Sequence, residues 1–326
     1  MKIAALFSGA GGLDLGFRQA GFDVVWANEY DKSIWDTYRF NHPNTILVTK
    51  SIKEIANEDF PKGIDGIIGG PPCQSWSLAG SMKGINDERG SLFYEYIRLL
   101  KYSQPKFFLV ENVKGIISKA HYHEFKNILD LFNAAGYNCT YKLLNAYDYE
   151  VPQTRERVFI VGFRKDIRVD FSFPEPSNRK LHLEDILVDL DDACPFEKNK
   201  INKTNISNNE YLVGSFSSMY MSRNRRRNFD QPSFTIQAGG RHAPLHPSSP
   251  EMIKVEKDKF EFNGNFDNVR RMTVRECARA QTFPDEFIFK YKNINDAYKM
   301  IGNAVPINLA KYIAIAIKKA LDKIGD

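Results

Sequence analysis

The tightest constraint on the fold is an alternation of strand-like and helix-like stretches. It opens with residues 2–7, Lys-Ile-Ala-Ala-Leu-Phe, runs through Ser8-Gly9-Ala10-Gly11-Gly12, and continues as a helical pattern over 13–20 that Gly21 closes. A strand, a glycine loop and a helix in that order present backbone N–H groups at a helix N-terminus with few side chains in the way. A nucleotide-like ligand or a carboxylate can sit on such a loop. Further strand-like runs follow at 22–27, 64–68, 106–110, 139–144 and 158–163, with helical patterns at 91–101 and 123–134. This interleaving predicts an α/β fold with a parallel sheet, helices on both faces, and ligands at the carboxyl ends of the strands.

Several groups fall at those predicted strand ends. Residues 64–68 lead into Gly69-Gly70-Pro71-Pro72-Cys73-Gln74, where two prolines stiffen the backbone ahead of a thiol and the glycines admit a flat ligand. Cysteine is often a small buried hydrophobe, but a Pro-Pro turn is a poor place for core packing and a good mount for a nucleophile. Glu111-Asn112-Val113 follows the run 107–110, and Gln153-Thr154-Arg155-Glu156-Arg157 precedes the run 158–162. Glu29 follows the second run, placed to accept hydrogen bonds from ribose hydroxyls, with Tyr30 beside it as a face for a base. No Gly-Lys-Ser/Thr phosphate clamp accompanies the glycine loop, which argues against a nucleoside triphosphate.

With 326 residues the chain has room for one large domain and a smaller one. From Arg164 to about Asn268 the sequence turns irregular, rich in Asn and interrupted by Pro, with a short strand-like piece at 233–237. Eight of the chain's Lys and Arg residues lie between Lys198 and Arg241 against only Glu210 and Asp230, so this stretch more than accounts for the net charge of +5. A solvated basic face is the default reading of such a run, and a polyanionic partner the functional one. Arg223, Arg225, Arg227 and Arg241 are its candidate readers, since arginine can engage guanine bidentately and its neighbours can hold phosphates. Thr273 and Glu276 fit a capping box for a helix to about Gln281, ended by Pro284, and a last helix over 309–321 is expected to return to the first domain. The four cysteines, Cys73, Cys139, Cys194 and Cys277, are far apart, which predicts a reduced compartment and no structural metal. No single uninterrupted apolar run reads as a membrane span and glycines follow the first strand, so a cytoplasmic protein is expected.

In order and spacing, Phe7-Ser8-Gly9-Ala10-Gly11-Gly12, Gly70-Pro71-Pro72-Cys73-Gln74, Glu111-Asn112-Val113, Gln153-x-Arg155-x-Arg157, Arg275-Glu276-Cys277-Ala278-Arg279 and Gly302-Asn303-Ala304-Val305-Pro306 resemble the motif series of the C5-cytosine DNA methyltransferases. The resemblance covers the whole chain. It implies a Rossmann-like S-adenosylmethionine-dependent methyltransferase sheet with a second, smaller and irregular target-recognition domain. The expected division is 1–172 with 300–326 for catalysis and cofactor, and 173–299 for recognition and hinge. By the same resemblance Cys73 adds to the cytosine, Glu111 assists at N3, Arg157 holds O2, Arg155 supports the active-site phosphate or loop, and Asn112 fixes the turn. The cofactor residues implied are Phe7, Ser8, Gly9, Ala10, Gly11, Gly12, Leu13, Glu29, Tyr30, Ser51, Ile52, Pro71, Asn303 and Val305. Ser51 stands where the family usually has an Asp for the adenine amino group, so it offers a hydrogen bond without charge.

Gln74, Ser75 and Ser77 are further DNA-contact candidates, in a Ser- and Gly-rich stretch from 74 to 94 expected to close over the base. Met221-Ser222-Arg223-Asn224-Arg225, residues 237–241 and Leu245-His246-Pro247 resemble the recognition region of the HaeIII-type enzymes, which modify GGCC. A monomer acting on double-stranded DNA is therefore expected, beside an independent restriction endonuclease that shares the site. The competing readings are an RNA cytosine-5 methyltransferase and a DNA-binding homologue without activity. The arginine-bearing domain argues against the first, and Cys73, Glu111 and Arg157 against the second. A thiol hydrolase is weaker still, because none of the six histidines occupies a motif that would pair it with Cys73.

Overall fold

A computed structural model describes residues 1–72, 91–190, 192–197 and 205–323. Cys73, Gln74, Ser75 and Ser77 lie outside the described residues, as does most of the expected closing loop; its last positions, from Ser91, already begin a helix. The chain divides into two compact units, one of residues Met1–Asn145, Glu156–Pro176 and Leu309–Asp326, the other of Ala146–Arg155 and Ser177–Asn308.

The first unit is built on β1 (Lys2–Leu6), α1 (Gly12–Gln19), β2 (Asp23–Asn28), α2 (Trp35–Asn41), β3 (Ile46–Val48), β4 (Gly66–Gly69), α3 (Ser91–Ser103), β5 (Phe107–Val113), α4 (Tyr122–Ala134), β6 (Tyr137–Asn145) and β7 (Glu156–Arg164). Its strands form a seven-stranded sheet in the order β3-β2-β1-β4-β5-β7-β6. The chain winds outward from β1 to β3, returns to β4 on the other side, and so leaves a switch point between β1 and β4 where a ligand crevice forms. The sheet departs from the all-parallel expectation: β7 runs antiparallel to both β5 and β6. Only the short stretch 146–155 joins β6 to β7, too little for the helical crossover a parallel pairing needs, so the chain reverses there and β7 inserts antiparallel beside β5.

β5 shows why its sequence reads as one apolar run. Successive side chains on a strand point to opposite faces, and both faces are covered. Phe107 stacks with Phe17 of α1 at 6.4 Å and meets Phe22 edge-on at 5.7 Å. Phe108, one residue on, stacks with Phe132 of α4 at 4.1 Å and meets Tyr96 of α3 edge-on at 6.3 Å. The four residues from Phe107 to Val110 are fully buried, which fixes the strand in the middle of the core.

The second unit has little regular structure. Among the described residues its pairings are β8 (Cys194–Pro195) with β9 (Glu210–Tyr211), and the hairpin of β10 (Glu251–Glu256) with β11 (Lys259–Asn263). The strand-like piece at 233–237 is not a strand; Ser233 makes one isolated bridge to Gln153. α5 (Val274–Ala280) starts at the expected box, Thr273 accepting from the Glu276 N–H at 3.0 Å and donating its own N–H to the Glu276 carboxylate at 2.8 Å. α6 (Ile294–Asn303) follows, and α7 (Ile307–Asp322) belongs from Leu309 onward to the first unit. The stretch Ile294–Asp322 has the length and composition of a membrane span, yet it is two helices parted before Pro306, and 67% of its most apolar window is buried inside the protein.

With so few ladders, many of this unit's carbonyls need other donors, and arginines supply several of them. Arg275 donates to the carbonyls of Ser207, Pro284 and Phe287, and Arg271 to those of Leu212, Gly214 and Ser215. Arg155, only 1% exposed, donates to Ile236 at 3.1 Å, Gly302 at 2.8 Å and Ala304 at 3.0 Å. Gln153 and Gln281 extend the tie: Gln153 donates to the Ala280 carbonyl and the Gln281 side chain, and Gln281 to the Ile301 carbonyl. Gly302 must be glycine, since a Cβ there would overlap the backbone of Gln237 and Ala238. Arg155→Met leaves three buried carbonyls without this donor, at about 1–3 kcal/mol for each one left unpaired. A loss of about 3 kcal/mol or more is expected in urea unfolding; a loss below about 1 kcal/mol would show that the tie is dispensable.

Candidate active site

Five chain turns of the first unit meet at one edge of its sheet. The glycine loop leaves β1, Glu29 follows β2, Ser51 comes shortly after β3, Pro71 after β4, and Glu111 with Asn112 occupies the last turn of β5. Both β5 residues therefore lie inside the strand, which runs three residues further than its apolar run indicates. Because β7 is antiparallel, its beginning reaches the same edge, and Arg157 pairs with Val113.

Across this pairing Glu111 is opposite Phe159, two residues from Arg157, so the two side chains meet on one face as a diagonal cross-strand pair. The Arg157 Nε lies 3.0 Å from Glu111 Oε1, with the side chains 15% and 12% exposed. Arg157 also donates to the Glu156 carbonyl at 2.8 Å. Asn112, on the other face of the strand, donates its Nδ2 to the Pro71 carbonyl at 3.0 Å and accepts the Val113 N–H at 2.9 Å. The Pro71-Pro72 turn, two residues ahead of Cys73, is thus pinned to the strand that carries Glu111. Arg155 belongs to the second unit, where the carbonyl ties already described engage its guanidinium.

At the β1 end, Phe7 and Gly9 both have positive φ, 54° and 56°, and Gly11 follows at 88° as the N-cap of α1. The Ser8 N–H donates to the Asn28 carbonyl at 3.1 Å, and the Gly9 N–H to Glu29 Oε2 at 2.8 Å. The other Glu29 oxygen accepts the Asp31 N–H at 2.7 Å. Glu29 therefore joins the glycine loop to the turn after β2. Ala10, Gly11, Gly12 and Leu13 are buried where α1 begins, whereas Tyr30 is 70% exposed. Ser51 caps a short turn: its N–H donates to Glu54 Oε2 at 3.0 Å and its Oγ accepts the Lys53 N–H at 3.4 Å, with Ile52 buried behind it. Asn303 is the exposed last residue of α6, and Val305 is buried just beyond.

Sequence reading passes over Asn28, whose buried Nδ2 donates to the carbonyls of Val48 and Lys50 and so ties β2 to the segment before Ser51. The available signal was an amide at the very end of an apolar strand, next to an acid.

In the second unit the four arginines differ. Arg223 and Arg241 are exposed. Arg227 is half-buried and stacks over Phe234 at 4.0 Å. Arg225 is turned inward, 8% exposed, over the Tyr220 ring at 5.0 Å with its Nε donating to the Tyr220 carbonyl at 3.1 Å. Lys198, Lys200 and Lys203 lie outside the described residues.

A mostly parallel sheet with this switch point, a glycine loop and an acid after the second strand defines the Rossmann-like S-adenosylmethionine-dependent methyltransferase class. Within it, residues 1–319 match the profile of the C-5 cytosine-specific DNA methylases. The chain is 56% identical over 329 residues to Type II methyltransferase M.FnuDI of Fusobacterium nucleatum, covering 98% of this chain and 95% of that protein. It is 54% identical to Type II methyltransferase M.NgoPII of Neisseria gonorrhoeae, covering 99% and 97%. A crystal structure of a prophage-encoded E. coli protein described as a DNA modification methyltransferase superposes with a TM-score of 0.73 at 27% identity, covering 99% of both chains. The chain belongs to the C-5 cytosine-specific DNA methylase family, as a DNA methyltransferase of the type II kind.

Members of that family use S-adenosylmethionine as methyl donor, and the residues present fit it. A Cβ at Gly9 would meet no atom of the described residues within 4 Å, so among them the loop borders open space. The Glu29 carboxylate, bonded to the Gly9 N–H, would accept from ribose hydroxyls, and the exposed ring of Tyr30, next in sequence, would offer a face for adenine. Ser51 would take the adenine amino group. Bound there, S-adenosylmethionine supplies an electrophilic methyl group.

Proposed function

We propose that the protein methylates C5 of a cytosine flipped out of duplex DNA within GGCC, through a covalent Cys73 adduct at C6. The carrying observation is the Glu111–Arg157 pair across β5 and β7, with Asn112 of β5 pinning the Pro71 carbonyl, so that acid and cation sit beside the turn that precedes Cys73 in the sequence.

C5 of cytosine is a weak nucleophile. When the Cys73 thiolate bonds to C6, the 5,6 double bond opens and its electron pair becomes available at C5. N3 must then accept a proton, and Glu111 is the group to deliver it. Arg157, fixed by the Glu111 oxygen, directs its remaining N–H groups at the cytosine O2 and keeps the ring in register. With C5 carrying the donated methyl group, loss of the C5 proton to water restores the 5,6 double bond as the C6–S bond breaks and the Cys73 thiolate leaves, and N3 returns its proton to Glu111. The base reaches these groups only by leaving the stack, at a cost of a few kcal/mol.

The GGCC assignment rests on the resemblance of the recognition region to HaeIII-type enzymes, with the exposed Arg223 and Arg241 as guanine readers. Arg225 supports them by holding the turn at Tyr220. An independent endonuclease cutting the same site is the expected partner. The test is transfer of labelled methyl to duplexes with GGCC or a one-base variant. Label on GGCC is expected, reduced by about tenfold or more for each changed base pair. Equal label on another duplex discards the target, and label on transfer RNA alone discards the DNA reading.

A further inference from the structure

We propose that Tyr38 and His42 are positioning residues for the methyl donor, acting through the glycine loop; the inference rests on that loop being its seat.

Gly11 takes up the left-handed conformation, φ 88° and ψ 28°, that turns the chain into α1. A Cβ on it would overlap the His42 imidazole, so the ring lies flush against the loop backbone. His42 in turn stacks on Tyr38, centroids 4.4 Å apart and planes 26° from parallel. The Tyr38 hydroxyl donates to Asp14 Oδ2 at 2.6 Å, in the first turn of α1. One stack at the end of α2 thus touches the chain at Gly11 and again at Asp14, three residues on. The last turn of α1 is held separately, Arg18 donating to Thr45 at 2.6 Å and Thr45 to the Val24 carbonyl at 2.7 Å.

Apolar side chains would fill this space at less cost. Asp14, Tyr38 and His42 are each at most 1% exposed. Burial drives the Asp14 carboxyl up to about 7, against the opposing pull of the Tyr38 hydrogen bond and Arg18, while Glu29 adds to the rise. Burial likewise pushes His42 down to about 4, assisted by Arg18. Desolvated polar groups lower stability, but directional contacts such as the Tyr38–Asp14 hydrogen bond restrict the geometry where an apolar cluster admits several. The glycine loop gains a fixed backbone path from it, and a ligand that lies along that path then has less ordering to offset on binding.

The experiment measures the dissociation constant of S-adenosylmethionine for the DNA-free protein by calorimetry, alongside its thermal midpoint and kinetics. Tyr38→Phe keeps the ring and the stack but removes the hydroxyl; His42→Gln removes the ring face from Gly11; Glu29→Gln probes the loop directly. Binding about tenfold weaker in all three, with kcat at saturating donor and the KM for DNA unchanged within about twofold in Tyr38→Phe, is the expected result. Weakening in Glu29→Gln alone, with a lower midpoint but intact affinity in the other two, overturns the positioning role and keeps the loop as the seat. Intact affinity in all three removes the seat and the proposal with it.

Discussion

Replacing Cys73 by Ala is expected to lower methyl transfer by about 10⁴-fold or more while leaving duplex binding in place. Among the described residues neither Glu111, Asn112 nor Arg157 can open the 5,6 double bond, because none offers a soft nucleophile. Removing the thiol therefore returns the ring to its unreactive form. A second measurement isolates the bond itself. With 5-fluorocytosine at the target position the C5 substituent cannot leave as a proton, so elimination halts with the sulfur still attached. The wild type should form a complex that survives denaturation, and Cys73→Ala should not. Transfer by the variant within about tenfold of wild type would sink the adduct.

Glu111→Gln is expected to reduce kcat by about 10²–10⁴-fold with a much smaller effect on the KM for DNA. The amide has the shape of the carboxylate and can still accept from the Arg157 Nε that now sits 3.0 Å from Oε1. It has no proton of comparable acidity for N3. The guanidinium stays placed for O2, so binding and chemistry separate in this variant. A fall in kcat of less than about tenfold would mean that the residue only orients Arg157.

The parts of the fold that sequence reveals are those whose physics is local. β1, the glycine loop and α1 are legible because an apolar run, glycines at positive φ and a helical period lie side by side. The capping box at Thr273 and Glu276 is legible for the same reason. α2 and β3 are not, being seven and three residues long with too few turns or alternations to register a period. The reversal of β7 is invisible because a strand buried on both faces reads the same in either direction. Glu111 was identified from its motif, but its partnership with Arg157 exists only through the antiparallel register. Arginines are the least legible from sequence. Charge alone cannot distinguish Arg225, folded over Tyr220, from Arg223 two residues earlier and exposed.

That division among the arginines bears on how such a protein changes over time. In a sheet or helix bundle, altering an exposed loop risks the ladder or packed face on which it stands. Here the second unit is fastened at separate points, by Arg155, Arg271 and Arg275 on named carbonyls. The chain between two fastenings can lengthen, shorten or exchange its outward side chains without orphaning a carbonyl elsewhere. On the proposed reading, in which this unit recognises the DNA, a new target would be read by rewriting those spans, while the half that carries Glu111 and Arg157 stays as it is.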